Sequence, residues 1–330
     1  MPSATAMHNA QAVAGNAVTR LDFAAFRRAV ITPTATGHAR LVALLALPLA
    51  GEMRLLAVLA RDDESALTLA STPVGQEYPA LTPDCPSAHW FEREIAESHG
   101  IRPLGHPWLK PVRFPPTTAD IDQPSAIGQA DFFTVAGAGV HEVAVGPVHA
   151  GIIEPGHFRF QCHGETVHHL EISLGYQHRG VARALRGGPA LRTMHYLETL
   201  AGDTSVGHAL AGCRALESLA GLRVPARAEA IRGLAAELER LANHIGDLGA
   251  LAGDVGFLPT MSYCGRIRGD ALNLTAMLCG NRFGRGLVIP GGVSWDVDEA
   301  LIRELLERLD RLAADATNAI DLMFANPGVM

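Results

Sequence analysis

Between Pro225 and Leu251 the residues Ile231, Leu234, Leu238, Leu241, Ile245 and Leu248 recur at alternating spacings of three and four. At 3.6 residues per turn that pattern lays every one of them on a single stripe, along a run of about seven turns that holds no internal proline. A helix so long and so one-sided cannot cover its own apolar face. It requires neighbouring helices, and the C-terminal half of the chain is therefore read as a bundle. Pro225 suits the first turn, where its missing N–H is not needed.

A second stripe, Leu301, Leu305, Leu309 and Leu312, marks a helix from Asp296 to about Phe324. Asp296 is placed to accept the N–H of the third residue, with Glu299 reaching back. Upstream of residue 175 the pattern differs. Leu41 to Leu47, Leu55 to Ala60 and Leu67 to Leu69 are strand-length apolar runs, broken by Gly51-Glu52 and Asp62-Asp63-Glu64, with a helical start at Phe23 to Val30. Phe158, Phe160 and Cys162 alternate with polar residues and Gly164-Glu165 turns the chain. Val167, Leu170, Ile172 and Leu174 return it as a hairpin with an irregularity near His168-His169. The fold class is α+β: a small N-terminal α/β-sheet domain followed by a β-hairpin plus a mainly α-helical bundle domain. The expected boundaries are a disordered Ala-rich tail at 1–20, the first domain at 21–114, a Pro-, Thr- and Ser-rich linker at 115–140 and the second domain at 141–330.

Composition excludes several classes of function. A net charge of -7 offers no electrostatic footprint for nucleic acid or anionic lipid. The longest apolar run, Leu41 to Ala50, contains a proline and falls short of the roughly 20 residues a membrane helix needs. The five cysteines, Cys85, Cys162, Cys213, Cys264 and Cys279, are scattered with no Cys-x-x-Cys, and each is read as a small buried hydrophobe in a reducing compartment. No GxGxxG after a strand, P-loop or hydrolase elbow is present. Glu92-Arg93-Glu94, with His99 and His106, is read as a solvated helix face followed by a Gly-His-Pro turn.

Gly146-Pro-Val-His149, Glu154-Pro155, Phe158-Arg-Phe160 and Gly175-Tyr-Gln-His-Arg-Gly180 follow one another in order. After them come Ala215-Leu-Glu217, Arg223-Val-Pro225, Glu237 to His244 and Pro290-Gly-Gly-Val293. This series resembles the large subunit of membrane-bound, energy-converting nickel-iron hydrogenases of the formate hydrogenlyase type, and its relative, the quinone-site subunit of complex I. The N-terminal half, through Ala88-His-Trp-Phe-Glu-Arg-Glu94, Gly100-Ile101 and Gly105-His-Pro107, resembles the small peripheral-arm subunit of complex I. The resemblance implies that the chain, ending at Met330, is C-terminally incomplete.

In the hydrogenases the loop Tyr196 to His208 carries Cys-x-x-Cys and a His four residues later. Here the two cysteine positions fall on Ala201 and Thr204, while His208 keeps its place. Low-potential nickel is held by soft, anionic sulfur, which a methyl or a neutral hydroxyl does not replace. The resemblance therefore implies a variant whose own nickel-iron centre is missing. The complex I tyrosine falls on Gly202, and the quinone-facing histidine has two claimants, His149 and His157. By the same resemblance, His178 and Arg179 face the iron-sulfur cluster of a partner subunit, where a cation raises the cluster's potential. His208, which Thr204 or Ser205 can accompany as a helix cap, joins Asp203 and Glu154 as an expected proton relay in the vacated pocket. The chain is expected to bind no cofactor itself, with a quinone as the alternative ligand. Its expected partners are an iron-sulfur small subunit and integral membrane ion-translocating subunits, on the cytoplasmic side of a bacterial inner membrane. The remaining readings are a catalytic subunit reducing a quinone or another acceptor in the vacated pocket, and a structural assembly subunit or inactive fragment.

Overall fold

The computed structural model describes residues 4–113, 131–148 and 155–329. Contacts divide the chain into two compact units, Met1–Arg179 and Gly180–Met330.

The first unit opens with β1 (Thr5–Met7) and continues through α1 (Phe23–Ala35), β2 (Arg40–Leu49), β3 (Glu52–Arg61), β4 (Ala66–Pro73), β5 (Glu77–Pro79), α2 (His89–His99) and β6 (Arg102–Leu104). β2, β3 and β4 form an antiparallel meander whose apolar runs supply Leu44, Leu55, Ala57 and Leu59 to a core sealed by Phe26 and Val30 of α1. Asp22 caps α1 by accepting the Ala25 N–H at 2.7 Å. The tail read as disordered instead carries an edge strand. β1 pairs antiparallel with β4, and the Thr5 hydroxyl accepts the Thr19 N–H at 2.9 Å. The reason is that β4 would otherwise present a free edge, and even an Ala-rich segment satisfies an exposed ladder.

The acidic run on α2 also departs from its expected role. Glu92 is wholly buried and Arg93 is 5% exposed. The Glu92 carboxylate accepts the N–H groups of Leu81 (2.8 Å) and Thr82 (3.0 Å) and the Thr82 hydroxyl (2.6 Å). Arg93 donates to the carbonyls of Lys110 and Pro111, and Glu97 accepts the N–H groups of Val112 and Arg113. These charges anchor loops, because backbone groups leaving a sheet need partners wherever water cannot reach them.

The same unit holds a three-stranded antiparallel sheet, β7 (Val140–Val148), β8 (Gly156–His163) and β9 (Thr166–Ser173), ordered as in the sequence. The β8–β9 hairpin shifts register where Gln161 pairs with His169 and Cys162 with Val167, so the irregularity expected near His168-His169 is a bulge. Lys110 reaches this sheet through an ion pair with Glu171 at 2.6 Å. Gly175 has a φ of +93°, and a Cβ there would sit 2.2 Å from the Val112 carbonyl oxygen, so only glycine fits.

The second unit begins with the short helices α3 (Val181–Ala184) and α4 (Thr193–Leu197). It is built on α5 (Ser205–Ala220), α6 (Ala226–Asp254), α7 (Leu258–Cys279) and α8 (Glu299–Phe324), with a two-stranded hairpin, β10 (Val288–Ile289) and β11 (Gly292–Val293), before α8. Of the expected stripe α6 buries Ile231, Leu238 and Ile245 and packs the partly buried Leu234, Leu241 and Leu248 against the same core, and Pro225 stands one residue ahead of it with extended backbone. Leu238, Ala242 and Ile245 of α6 meet Cys264, Ile267, Ala271 and Leu274 of α7 in one core, to which α8 adds Leu305 and Leu312. A Cβ on Gly249 would lie 2.9 Å from the Cys264 Cβ, so a small residue there sets how closely α6 and α7 approach. The cap of α8 is Asp298, which accepts the Leu301 N–H at 2.8 Å. Asp296, expected in that role, is instead held by Arg227 at 2.7 Å. Among the described residues no helix is long and apolar enough to cross a membrane.

Candidate functional site

The loop that leads into α5 is fastened from both sides. Glu198, 4% exposed, accepts the Gly286 N–H at 2.6 Å, and its carbonyl accepts the Ser205 hydroxyl at 2.8 Å. The N-terminus of α5 has no side-chain cap of its own, contrary to the expectation for Thr204 or Ser205. Glu239, from the middle of α6, accepts the N–H groups of Val206 at 2.7 Å and Gly207 at 2.9 Å. A carboxylate there satisfies two orphan donors and meets the positive end of the helix dipole. Burial raises the Glu239 pKa above the ordinary carboxylate range and the Asp203 charge raises it further, while the two amides and His208 pull it down. One turn along α6, the Asn243 amide donates to the Asp203 carbonyl at 3.1 Å.

His208 lies on the first turn of α5 with its Nδ1 2.8 Å from the Thr204 carbonyl oxygen and 3.0 Å from the Thr204 hydroxyl. Thr204 thus holds the ring in place and offers no anionic donor. Asp203 and Glu239 line a narrow cleft together with Arg268, Leu272 and Thr275 of α7 and the Arg282-Phe283 loop. Of the expected relay, Asp203 and His208 fall in this region and Glu239 joins them. Glu154 lies outside the described residues, as does His149. His157, the other candidate for the quinone-facing position, is 7% exposed with both ring nitrogens engaged, Nδ1 to the Gly146 carbonyl at 3.2 Å and Nε2 to Arg159 at 3.3 Å. His178 and Arg179 sit exposed in the loop after β9, in the first unit, where Arg179 bonds the Gln177 side chain at 3.4 Å.

The segments Ala215-Leu-Glu217 and Pro290-Gly-Gly-Val293 meet at Arg232, which is fully buried in α6. Its guanidinium pairs with Glu217 at 2.6 Å and Glu229 at 2.9 Å, and donates to the carbonyls of Ile289 at 2.7 Å and Gly292 at 3.1 Å. Glu217 in turn accepts the Gly291 N–H at 2.7 Å. Arg232 was absent from the sequence-derived candidates, as were Glu198 and Glu239. The available signal was a charged residue adjoining the apolar stripe of α6, Arg232 after Ile231 and Glu239 after Leu238.

A thiolate-held nickel does not fit these residues. Ala201 supplies a methyl and Thr204 a hydroxyl already bonded to His208. All five cysteines are buried. Burial pushes the Cys213 thiol up to about 11 and raises Cys264 and Cys279 as well, so these groups stay protonated near neutrality. Among the described residues no group of three or more His, Cys, Asp or Glu is disposed to hold a metal ion.

The family model of the respiratory-chain NADH dehydrogenase 30 kDa subunit matches residues 37–124, and that of its 49 kDa subunit matches residues 254–330. The chain carries domains of both complex I subunits, and its homologues are subunits of membrane-bound hydrogenases and NADH-quinone oxidoreductases. Hydrogenase-4 component G of Escherichia coli strain K12 is 27% identical over 77% of this chain and 49% of its own length. Formate hydrogenlyase subunit 5 of the same strain is 28% identical over 77% of this chain and 48% of its own. The chain thus spans about half the length of the curated relatives it matches. A chain in the structure of the membrane-bound sulfane sulfur reductase, an archaeal respiratory membrane complex, shares the fold. Its TM-score is 0.53 at 22% identity, covering 58% of this chain and 51% of that one.

Proposed function

We propose that this chain is a subunit of a membrane-associated, hydrogenase-like or complex I-like electron-transfer complex, docked on an iron-sulfur partner and without a nickel-iron centre of its own. The observation that carries this reading is the α5 entry loop. Its supports are intact, Glu198 on Gly286, Glu239 on the α5 amides and His208 on Thr204, whereas Ala201 and Thr204 stand where thiolates would be needed. The frame positions a loop beside a partner, and the metal chemistry has no donors. His178 and Arg179, both exposed, are the side chains assigned to the cluster-bearing partner, where they lend positive charge to a reduced, anionic cluster. Integral membrane subunits complete the assembly on the cytoplasmic side of a bacterial inner membrane, with this chain peripheral.

The test is purification of the complex from membranes through a tag on this chain, followed by metal analysis, an iron-sulfur spectroscopic signal and a hydrogen-uptake assay on one sample. Iron without nickel and without hydrogen activity is the expected result. Stoichiometric nickel refutes the reading.

A further inference from the structure

The three-stranded sheet of the first unit has its polarity reversed. Facing residues of an antiparallel ladder carry their side chains on the same side of the sheet. The register therefore sets two complete rows next to each other, Val143, Phe160 and Leu170 in one and Val145, Phe158 and Ile172 in the other. All six side chains are apolar. Val143, Val145, Leu170 and Ile172 are 39–41% exposed, and the two phenylalanines between them are partly buried. The opposite face holds His157, Gln161 and Glu171, all buried. There Glu171 accepts the Phe133 N–H at 2.9 Å and pairs with Lys110, and the Gln161 amide donates to Glu142 at 2.7 Å. An antiparallel sheet with one face in water ordinarily turns its polar side outward. Here the polar side is taken up by the chain's own residues, and the apolar side faces out.

We propose that this face is the docking surface for one amphipathic helix of a partner subunit, laid across the three strands. A sheet face is covered either by a helix or by a second sheet. The outer strands stand about 10 Å apart, two ladder spacings, which is the diameter of a single helix. The two rows and their margins cover roughly 250 Å2, about a third of the ~800 Å2 that each partner gives to a stable interface. Two copies of this chain meeting through the face would bury about 500 Å2 in all, the size of an incidental packing contact. The helix therefore belongs to a different subunit, one that other contacts also hold. Neither row contains a charged group, so the helix meets the sheet with an uncharged stripe of apolar residues at spacings of three and four. This docking presupposes the complex proposed for the chain and gives the chemistry of one contact within it.

The test places the photo-cross-linker p-benzoylphenylalanine at Ile172 of the tagged full chain, isolates the complex from illuminated membranes and sequences the cross-linked peptide by mass spectrometry. The expected adduct joins Ile172 to one segment of a co-purified subunit, with apolar residues at spacings of three and four. An adduct confined to this chain, whether within one copy or between two, or to lipid, overturns the proposal, and so does the absence of any adduct. In a second arm, Val143→Lys with Ile172→Lys should leave the melting temperature unchanged, because both side chains already meet water. The same pair should lower recovery of the cross-linked subunit about tenfold or more, because two ammonium groups are then forced against its apolar stripe. Undiminished recovery with both lysines overturns the docking site and leaves the complex standing. A tagged chain that brings no subunit from membranes overturns both.

Discussion

Arg232→Met removes the cation at the centre of the second unit and leaves its size in place. The wild-type side chain has no solvent exposure and joins two carboxylates to the carbonyls of Ile289 and Gly292. In the variant Glu217, 6% exposed, keeps only the Gly291 N–H and becomes a buried, uncompensated charge. Breaking a buried pair from one side costs about 3–5 kcal/mol, which for a unit of this size lowers the melting temperature by roughly 6–20 °C. The measurement is thermal unfolding of the full chain, with hydrogen exchange read at Val288 to Val293, where protection should fall first. Acid titration adds a second arm. Arg232 holds the Glu217 pKa below the ordinary carboxylate range. The pair's stabilisation is therefore complete above that range and disappears as pH falls through the depressed folded value. Arg232→Met should abolish that acid-side loss, and the double variant Arg232→Met, Glu217→Leu should recover most of the stability. A single variant within about 1 kcal/mol of wild type, or one in which the hairpin stays as protected as before, refutes the reasoning.

Glu239→Gln should have the opposite pH signature. The Glu239 pKa is raised in the fold, so its destabilising effect grows as pH climbs through the ordinary carboxylate value toward the folded one, and the variant should flatten that slope in a pH series of unfolding curves. Glu92→Ala strips three hydrogen bonds from the Leu81-Thr82 turn and should destabilise the first unit by about 2–4 kcal/mol, read by urea unfolding. Gly175→Ala drives a Cβ against the Val112 carbonyl at a φ of +93° and should cost about 2 kcal/mol or more, visible as faster proteolysis near residue 112. His178→Ala with Arg179→Ala should leave unfolding unchanged and reduce the iron recovered with the tagged chain from membranes.

Long-range patterning was legible where one face of an element is buried. The stripe of α6, the strand runs of β2 to β4 and the bulge at His168-His169 follow from periodicity alone. Charged residues were not legible in the same way, because a Glu beside an apolar stripe reads as solvated until a second element supplies the N–H groups that desolvate it. Glu92 finds its partners in Leu81 and Thr82, and Glu239 reaches across to Val206 and Gly207, separations that no local pattern encodes. The α8 cap slipped by two residues for a related reason. Asp296 and Asp298 offer the same local chemistry, and only the approach of Arg227 decides between them.

Glu217 and Pro290 to Val293 meet at Arg232, Glu239 caps α5, and Gly175 fits under the Val112 carbonyl. Each of these residues therefore has a sufficient reason within the fold, independent of any metal. On the proposed reading Ala201 and Thr204 stand where thiolates would be needed, and the loop around them is held by Glu198, by Glu239 and by the His208 contact to the Thr204 backbone carbonyl, none of which requires the Ala201 methyl. Placing cysteines there with Ala201→Cys and Thr204→Cys should leave the unfolding curve within about 1 kcal/mol of wild type, since both side chains lie at the partly exposed surface of the loop. A larger loss would mean that the Thr204 hydroxyl, and not only its carbonyl, supports the fold through His208.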